Sequence, residues 1–145
     1  LLENPMTQNT GESYQLPDDR HLAQALDRAE APDTQADDIA RIMCLLLAAT
    51  VRDILTDHEY PAPFDAIGLE LLRTADGAVR TTGAYWVGDG TRQEFEEAGA
   101  EYHLDAWACQ LDHTNRDTWA PLCELLSDDG GTTRYRLDLI RAAAL

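Results

Sequence analysis

The side chains best suited to chemistry lie between positions 103 and 113 of this 145-residue chain. His103 is followed two positions later by Asp105, and Asp112 directly precedes His113. Imidazole and carboxylate groups bind zinc and act as general acids and bases in hydrolysis. The two histidines are ten residues apart, so on an ideal helix they would point about 80° apart and lie two to three turns apart. A metal-dependent or hydrolytic site on His103, Asp105 and His113 would need further groups; the simpler interpretation is that both histidines are solvated.

A cysteine nucleophile is a second chemical possibility. Cys109 or Cys123 could pair with a distant histidine, but both lie on apolar faces beside acidic residues, which raise the pKa of a thiol. Cys44 and Cys109 are expected to be small buried hydrophobic residues. The odd cysteine count and the absence of C-x-x-C spacing do not indicate a disulfide framework. We therefore expect a reducing, cytoplasmic environment.

Sequence motifs of common enzymes are absent. The chain contains no G-x-S-x-G, no P-loop, no H-E-x-x-H and no G-x-G-x-x-G. All 11 basic residues are arginine, so no lysine is present to form a Schiff base. These absences favour a protein that is not an enzyme and that uses no cofactor and no metal.

Acidic residues dominate the composition, with 27 Asp and Glu and a formal net charge of −16. Such a chain is a poor candidate for binding nucleic acid or anionic membranes, which both require basic surfaces. A hydrophobic content of 44% is too high for a disordered acidic tail. The acidity could reflect a GC-rich genome, adaptation to high salt or solubility. Alternatively, it faces a basic protein partner.

The charge is concentrated in one segment. Residues 89–105 contain six acidic residues and one arginine, whereas the C-terminal end is locally basic. This segment is either a solvated face or a patch that docks on a basic protein. Trp86 is a further candidate for partner binding, since it is either buried or an interface anchor. The two aspartates before Gly130 are also candidates, although their simpler explanation is that they form a turn. The partner-binding candidates are Asp89, Glu94, Glu96, Glu97, Glu101, Asp105, Asp128, Asp129 and Trp86.

Two helices are predicted at the start of the chain. Residues 1–19 are polar and aperiodic, which predicts a flexible arm. Apolar residues at helical spacing predict a short helix over 20–31 and a long one over 35–58, the second capped by Asp33 or Thr34. The middle of the long helix is apolar nearly all round, which indicates burial.

The period then changes from 3.6 to 2, which predicts strands. Residues 64–73 and 78–87 flank the turn signal Ala75-Asp76-Gly77 and form one β-hairpin. Residues 119–127 and 133–140 flank a second turn, with Pro121 marking an edge or entry segment. In the first strand of the first hairpin, Ile67, Leu69 and Leu71 are expected to share one face. In the second strand, Trp86 is expected on the face opposite to Val79, Thr81, Tyr85 and Val87.

The connection between the hairpins is predicted to be partly helical. Residues 91–101 are ambiguous between a third strand and the first turns of a helix, and 103–114 have a clear helical face. This order predicts an α+β fold in which N-terminal helices pack on an antiparallel sheet of two hairpins with a helix between them. Residues 20–145 would form a single domain after the arm.

The two hairpins carry a family resemblance. The stretch W-A-P-L-C-E-L-L-S-D-D-G-G-T-T-R-Y-R-L-D from Trp119 resembles the closing hairpin of the YezG-type immunity family. The helix 35–58, followed by F-D-A-I-G-L-E-L-L-R-T-A-D-G and G-A-Y-W-V, resembles the long helix and first hairpin of that family. The resemblance extends over residues 37–140 in order.

Members of that family are small cytoplasmic antitoxins that neutralise a cognate secreted toxin, often a nuclease. The resemblance implies an inhibitor without catalysis, whose acidic surface occupies the basic cleft of a toxin domain. The alternatives are a small metal-dependent or hydrolytic enzyme using His103, Asp105 and His113, or an acidic housekeeping domain with no toxin partner. The oligomeric state is not indicated by the sequence.

Overall fold

The computed structural model describes residues 14–57, 64–96 and 99–144. Their fold is α+β, with helices and a five-stranded antiparallel sheet, which confirms the predicted class. The elements in chain order are α1 (Asp19–Glu30), α2 (Ala36–Thr56), β1 (Ala66–Arg73), β2 (Val79–Val87), β3 (Arg92–Glu94), α3 (Ala100–Ala108), α4 (Arg116–Trp119), β4 (Cys123–Asp129), β5 (Thr132–Asp138) and α5 (Leu139–Ala143).

The first two helices form where periodicity predicts them, but the N-terminal cap of the second is not one of the two predicted residues. Asp18 caps α1, its carboxylate accepting from the backbone N–H of His21 at 2.9 Å. The cap of α2 is Gln35, without a side-chain hydrogen bond, so the prediction of Asp33 or Thr34 was wrong. Thr34 instead donates its hydroxyl to the carbonyl of Arg28. The charges of the first-turn acids of α2 complement the helix dipole in place of a cap.

The sheet has the strand order β3-β2-β1-β5-β4. Both predicted hairpins are present, β1 with β2 and β4 with β5, and they join through antiparallel pairing of β1 with β5. β3 and β4 are therefore the two edges of the sheet. The described helices cover the face that carries Leu69, Leu71, Tyr135 and Leu137, and the opposite face is open.

Pairing of β1 with β2 is irregular, and this changes which residues face the core. The register shifts between Ala66 and Gly68 and again between Leu69 and Leu71. At the first shift Ala66 is fully buried and Ile67 only partly, so Ile67 does not share the buried face with Leu69 and Leu71 as predicted. At the second, Gly83 lies in β2 with φ +89°, a conformation that glycine adopts without a steric penalty.

Residues between the hairpins contain both structures that the sequence left open. β3 pairs with β2 over three residues, and α3 begins at Ala100 and ends at Ala108, earlier than the predicted 103–114. The chain then turns at Asp112, whose carboxylate accepts from the N–H of Thr114 at 2.8 Å. This local hydrogen bond competes with continuation of the helix, because aspartate side chains favour caps and turns.

The second hairpin is shorter than predicted at both ends. Residues 119–122 lead into β4 as helical turns, with a 3₁₀ turn at Ala120–Leu122, so the predicted strand over 119–127 begins only at Cys123. Trp119 is completely buried there and packs edge-on against Tyr135, with ring centroids 5.4 Å apart. After β5, Asp138 caps the unpredicted helix α5 by accepting from the N–H of Ile140 at 3.0 Å.

The polar start of the chain is anchored in its described part. Tyr14 is 5% exposed and donates its hydroxyl to the carbonyl of Ala48 in α2 at 2.6 Å. Its ring packs edge-on against Phe64. Tyr14 therefore ties residues 14–18 to the domain. The flexible arm predicted over 1–19 falls mostly on residues 1–13, which lie outside the described chain, as does His58 at the predicted end of the long helix.

The core lies between α2 and the sheet. Along the middle of α2, from Ile42 to Ala49, every residue is buried, as the continuous apolar run predicts. Cys44 belongs to this core, but Cys109 is exposed, which corrects its predicted burial. Within the described ranges, no helix combines the length and the apolarity needed to cross a membrane.

Candidate functional site

An acidic groove lies where the end of α2 meets β3 and α3. Two adjoining concave regions of about 310 and 380 Å³ share Ile54 of α2 as a common wall. One is bordered by α3 and the other by β3, so together they follow one side of the domain. Their lining includes Asp53, Ile54, Asp57, Glu94, Phe95, Glu96, Tyr102 and His103.

The acidic groove combines carboxylates with an exposed aromatic side chain. Glu94, Glu96 and Asp57 are exposed carboxylates around its rim. Tyr102 is 79% exposed, the most exposed of the large apolar side chains in the described chain. Asp53 also contributes, although its carboxylate is 3.2 Å from the guanidinium of Arg52. Aromatic anchors within a charged rim are typical of protein interfaces, so this arrangement suits a basic partner with apolar contacts.

The predicted acidic candidates are distributed over several places. Glu94 and Glu96 line the acidic groove, and Glu101 lies beside it on α3, next to Gly83 of β2. Asp89 is at the β2–β3 turn, where its carboxylate accepts from the N–H of Thr91 at 2.9 Å. Hydrogen bonds from Thr91 lower the pKa of Asp89, which is the behaviour of a turn residue. Glu97 lies outside the described residues.

Asp105 has a structural position rather than a place in the groove. Its Oδ1 accepts two hydrogen bonds from Thr81 of β2, from the backbone N–H at 2.7 Å and from Oγ1 at 2.8 Å. Thr81 is 4% exposed, so without Asp105 its N–H would be buried without a partner. Asp105 therefore fixes α3 to the sheet.

Asp128 and Asp129 lie at the other edge of the sheet, on β4. Four strand spacings separate β3 from β4, which corresponds to roughly 19 Å. Asp128 is 3.3 Å from the hydroxyl of Thr133, which donates to it across the hairpin. The two aspartates consequently do not belong to the same compact patch as Glu94 and Glu96.

Trp86 lies on the open face of the sheet and is nevertheless 7% exposed. The guanidinium of Arg136 lies 5.4 Å from the centroid of its ring, a cation–π distance. Arg136 also forms an ion pair with Glu124 on β4. A side chain at Gly68 would contact both Trp86 and Arg136, since a Cβ there would be 2.9 Å from Cγ of Arg136. Of the two possibilities for Trp86, burial or an interface anchor, the structure therefore shows burial. The side chain of Arg136, and not a helix, covers the ring.

A buried carboxylate that the sequence analysis missed occupies the centre of the same open face. Glu70 is 3% exposed and accepts hydrogen bonds from Arg92 at 2.8 Å, Thr82 at 2.5 Å and Arg134 at 3.5 Å. Burial opposes ionisation, but the hydrogen bonds from Arg92 and Thr82 and the charges of both arginines outweigh it and lower the pKa of Glu70. We call these four residues the Glu70 cluster.

The histidines are not brought together. His103 is exposed beside the acidic groove, Asp105 is bound to Thr81, and His113 is exposed in the turn after α3. Across the described ranges, no group of three His, Cys, Asp or Glu side chains is placed to hold a metal ion. Burial raises the pKa of the Cys123 thiol, and that of Cys44 to about 12, which disfavours the nucleophilic thiolate at both.

One signal in the sequence could have located the acidic groove. Tyr102 lies off the apolar face of its helix, whose buried residues are Ala100, Leu104 and Ala108. A large aromatic on the polar side of a helix is a candidate for contact with a partner. The contributions of Asp53 and Asp57 depend on tertiary packing of α2 against β3, which has no signal in the local pattern.

No protein-family model matches the chain, and no curated protein or solved structure is significantly similar to it.

Proposed function

We propose that this protein is a non-catalytic immunity protein that binds and neutralises a basic toxin domain through the acidic groove. The observation that carries the proposal is the convergence of Glu94, Glu96 and Asp57 with the exposed ring of Tyr102 on one concave surface. Carboxylates attract the basic cleft of a toxin, and an aromatic anchor supplies desolvated contact area.

The edge position of β3 supports the same surface. All three residues of β3 are exposed, and one side of this strand has no neighbouring strand within the described sheet. A partner segment could therefore hydrogen-bond to the backbone of β3 while its basic side chains reach Glu94 and Glu96. Inhibition would follow from occlusion, since a toxin cleft filled by the acidic groove cannot admit its substrate.

An enzymatic function has less support. His103, Asp105 and His113 have separate environments, and Asp105 is already engaged by two hydrogen bonds from Thr81. Hydrolytic or metal-assisted chemistry requires such groups to meet around one reacting atom. We therefore assign none of them a catalytic role.

A co-expression experiment tests the proposal. The genes beside that of this chain are sequenced first, because the proposal expects one of them to encode a large secreted protein, and the C-terminal toxin domain of that protein is then the probe. We expect growth of a bacterial host to be restored by the wild-type chain and by Asp27→Asn/Glu30→Gln, which removes two charges from the exposed side of α1. The groove variant Glu94→Gln/Glu96→Gln/Tyr102→Ser should fail to protect. Equal protection by both variants would show that the acidic groove is not the binding surface.

A further inference from the structure

A second concave site lies between the far end of the sheet and α4, near the β4 edge. Its volume is about 490 Å³, within the range of pockets that bind small molecules. Arg73 of β1 and Arg116 of α4 both line it, so two guanidinium groups from different layers of the fold converge on one cavity. The acidic groove is at the opposite edge of the sheet.

The strand register explains how Arg73 reaches this cavity. Arg73 pairs with Val79 on one side and with Thr133 on the other, and Thr133 pairs with Asp128. Val79 and Thr133 are both buried, which places this row on the helix-covered face of the sheet. Arg73 therefore lies at the end of β1 on the helix-covered face of the sheet, the side on which Arg116 lies.

Neither arginine is paired in the way that Arg92, Arg134 and Arg136 are on the open face of the sheet. Neither has a carboxylate within ion-pair distance in the described residues, although acids outnumber bases by 27 to 11. The Nε of Arg73 is the only buried side-chain nitrogen or oxygen in the described part that has no hydrogen-bond partner. A buried N–H without an acceptor is costly, so an acceptor that bound to this guanidinium would stabilise it.

We propose that this cavity binds a small ligand bearing an oxyanion, a carboxylate or a phosphate, between Arg73 and Arg116. Two guanidinium groups provide the planar, charge-assisted donors that suit these groups. Thr133 and Tyr135 add polar lining, and Asp128 is the opposing charge in the cavity, which favours a ligand with a cationic or hydroxyl group beside its oxyanion. Because the whole chain carries −16, anions are not attracted by the general field, and binding must be local.

Isothermal titration at constant ionic strength tests this site, with inorganic phosphate and citrate as separate probes and chloride as the control. We expect one site to saturate with phosphate or citrate, and which of the two binds more tightly distinguishes phosphate from carboxylate ligands. The variant Arg116→Gln removes an exposed side chain and should fold normally, yet lower the affinity about tenfold. Arg73→Gln should do the same.

The matched control is Arg20→Gln, an equal change of charge at an exposed position of α1. It should leave the affinity unchanged. Failure of both probes to saturate, or equal affinity in Arg116→Gln and Arg20→Gln, would overturn the proposal. A thermal unfolding scan of each variant without ligand separates loss of the site from loss of the fold. The same scan with ligand should raise the unfolding temperature of the wild type, since the ligand binds the native state alone.

Discussion

The guanidinium of Arg92 on β3 donates a 2.8 Å hydrogen bond to the buried carboxylate of Glu70, two strands away on the open face of the sheet. This pair joins the short edge strand to the centre of the sheet. It also holds β3 beside the acidic groove, which Glu94 and Glu96 line, and Glu94 is itself 3.9 Å from the guanidinium of Arg92. The Glu70 cluster therefore supports the proposed binding surface, with Arg92 as the residue that contacts both.

Replacing Glu70 should destabilise the protein. In Glu70→Ala, Arg92 and Arg134 keep their charges without the central acceptor, and Thr82 loses its partner, so the free energy of unfolding should fall by about 3 kcal/mol. Urea denaturation measures this change. Glu96→Ala, at an exposed position, is the control and should change stability by less than about 0.5 kcal/mol. Equal stabilities would mean that the cluster contributes nothing net.

The same carboxylate makes stability depend on pH in a defined direction. The pKa of Glu70 is lowered in the folded protein, so its contribution is fully present above the unfolded pKa, near 4.5, and is lost as pH falls through the lower folded value. Unfolding free energy measured from pH 6 down to pH 2.5 should decline more steeply for the wild type than for Glu70→Gln. Parallel curves for the two proteins would contradict the assigned shift.

Asp105 should affect stability and not recognition. Asp105→Ala removes the single acceptor of both Thr81 hydrogen bonds and leaves a buried N–H unpaired, so we expect a loss of about 1–3 kcal/mol in unfolding free energy. Glu101→Ala, four residues earlier on the same helix but exposed, should unfold like the wild type. If Asp105→Ala is as stable as the wild type, Asp105 returns to the set of possible contact residues.

Thiol reactivity should distinguish the three cysteines. Cys109 is exposed, whereas burial raises the pKa of the Cys44 and Cys123 thiols. An aromatic disulfide reagent should therefore titrate one thiol rapidly in the native protein and the other two only in denaturant. In Cys109→Ser the rapid phase should disappear. Rapid reaction of two or three thiols in the native wild type would show that the core is more open than described.

Much of the fold follows from local pattern. The apolar run Ile42–Ala49 indicates a buried helix, and the change of period to 2, with Asp-Gly turn signals, indicates the two hairpins. What the pattern misses arises from pairing. The bulge that turns Ile67 away from the core depends on how β1 meets β2, and Trp119 is helical because burial against Tyr135 outweighs its extended propensity.

The candidate site was only partly predictable for the same reason. The acidic segment includes Glu94 and Glu96 of the groove, because they lie close together in the sequence. Asp57, the residue after α2, lies 37 positions before Glu94, and only tertiary packing brings the two together. Glu70 was missed because one acid in an alternating strand has the pattern of an exposed face, whereas two arginines from other strands bury it.

The most direct test of the central claim is the affinity of the purified chain for the toxin domain that the proposal expects a neighbouring gene to encode. The dissociation constant should be measured at low and at high salt for the wild type, for Glu94→Gln/Glu96→Gln/Tyr102→Ser and for the charge-matched Asp27→Asn/Glu30→Gln. We predict binding that weakens with salt, a loss of at least about tenfold in the groove variant and little change in the control. No binding by the wild type, or equal losses in the two variants, would contradict the proposal that the acidic groove neutralises a basic toxin.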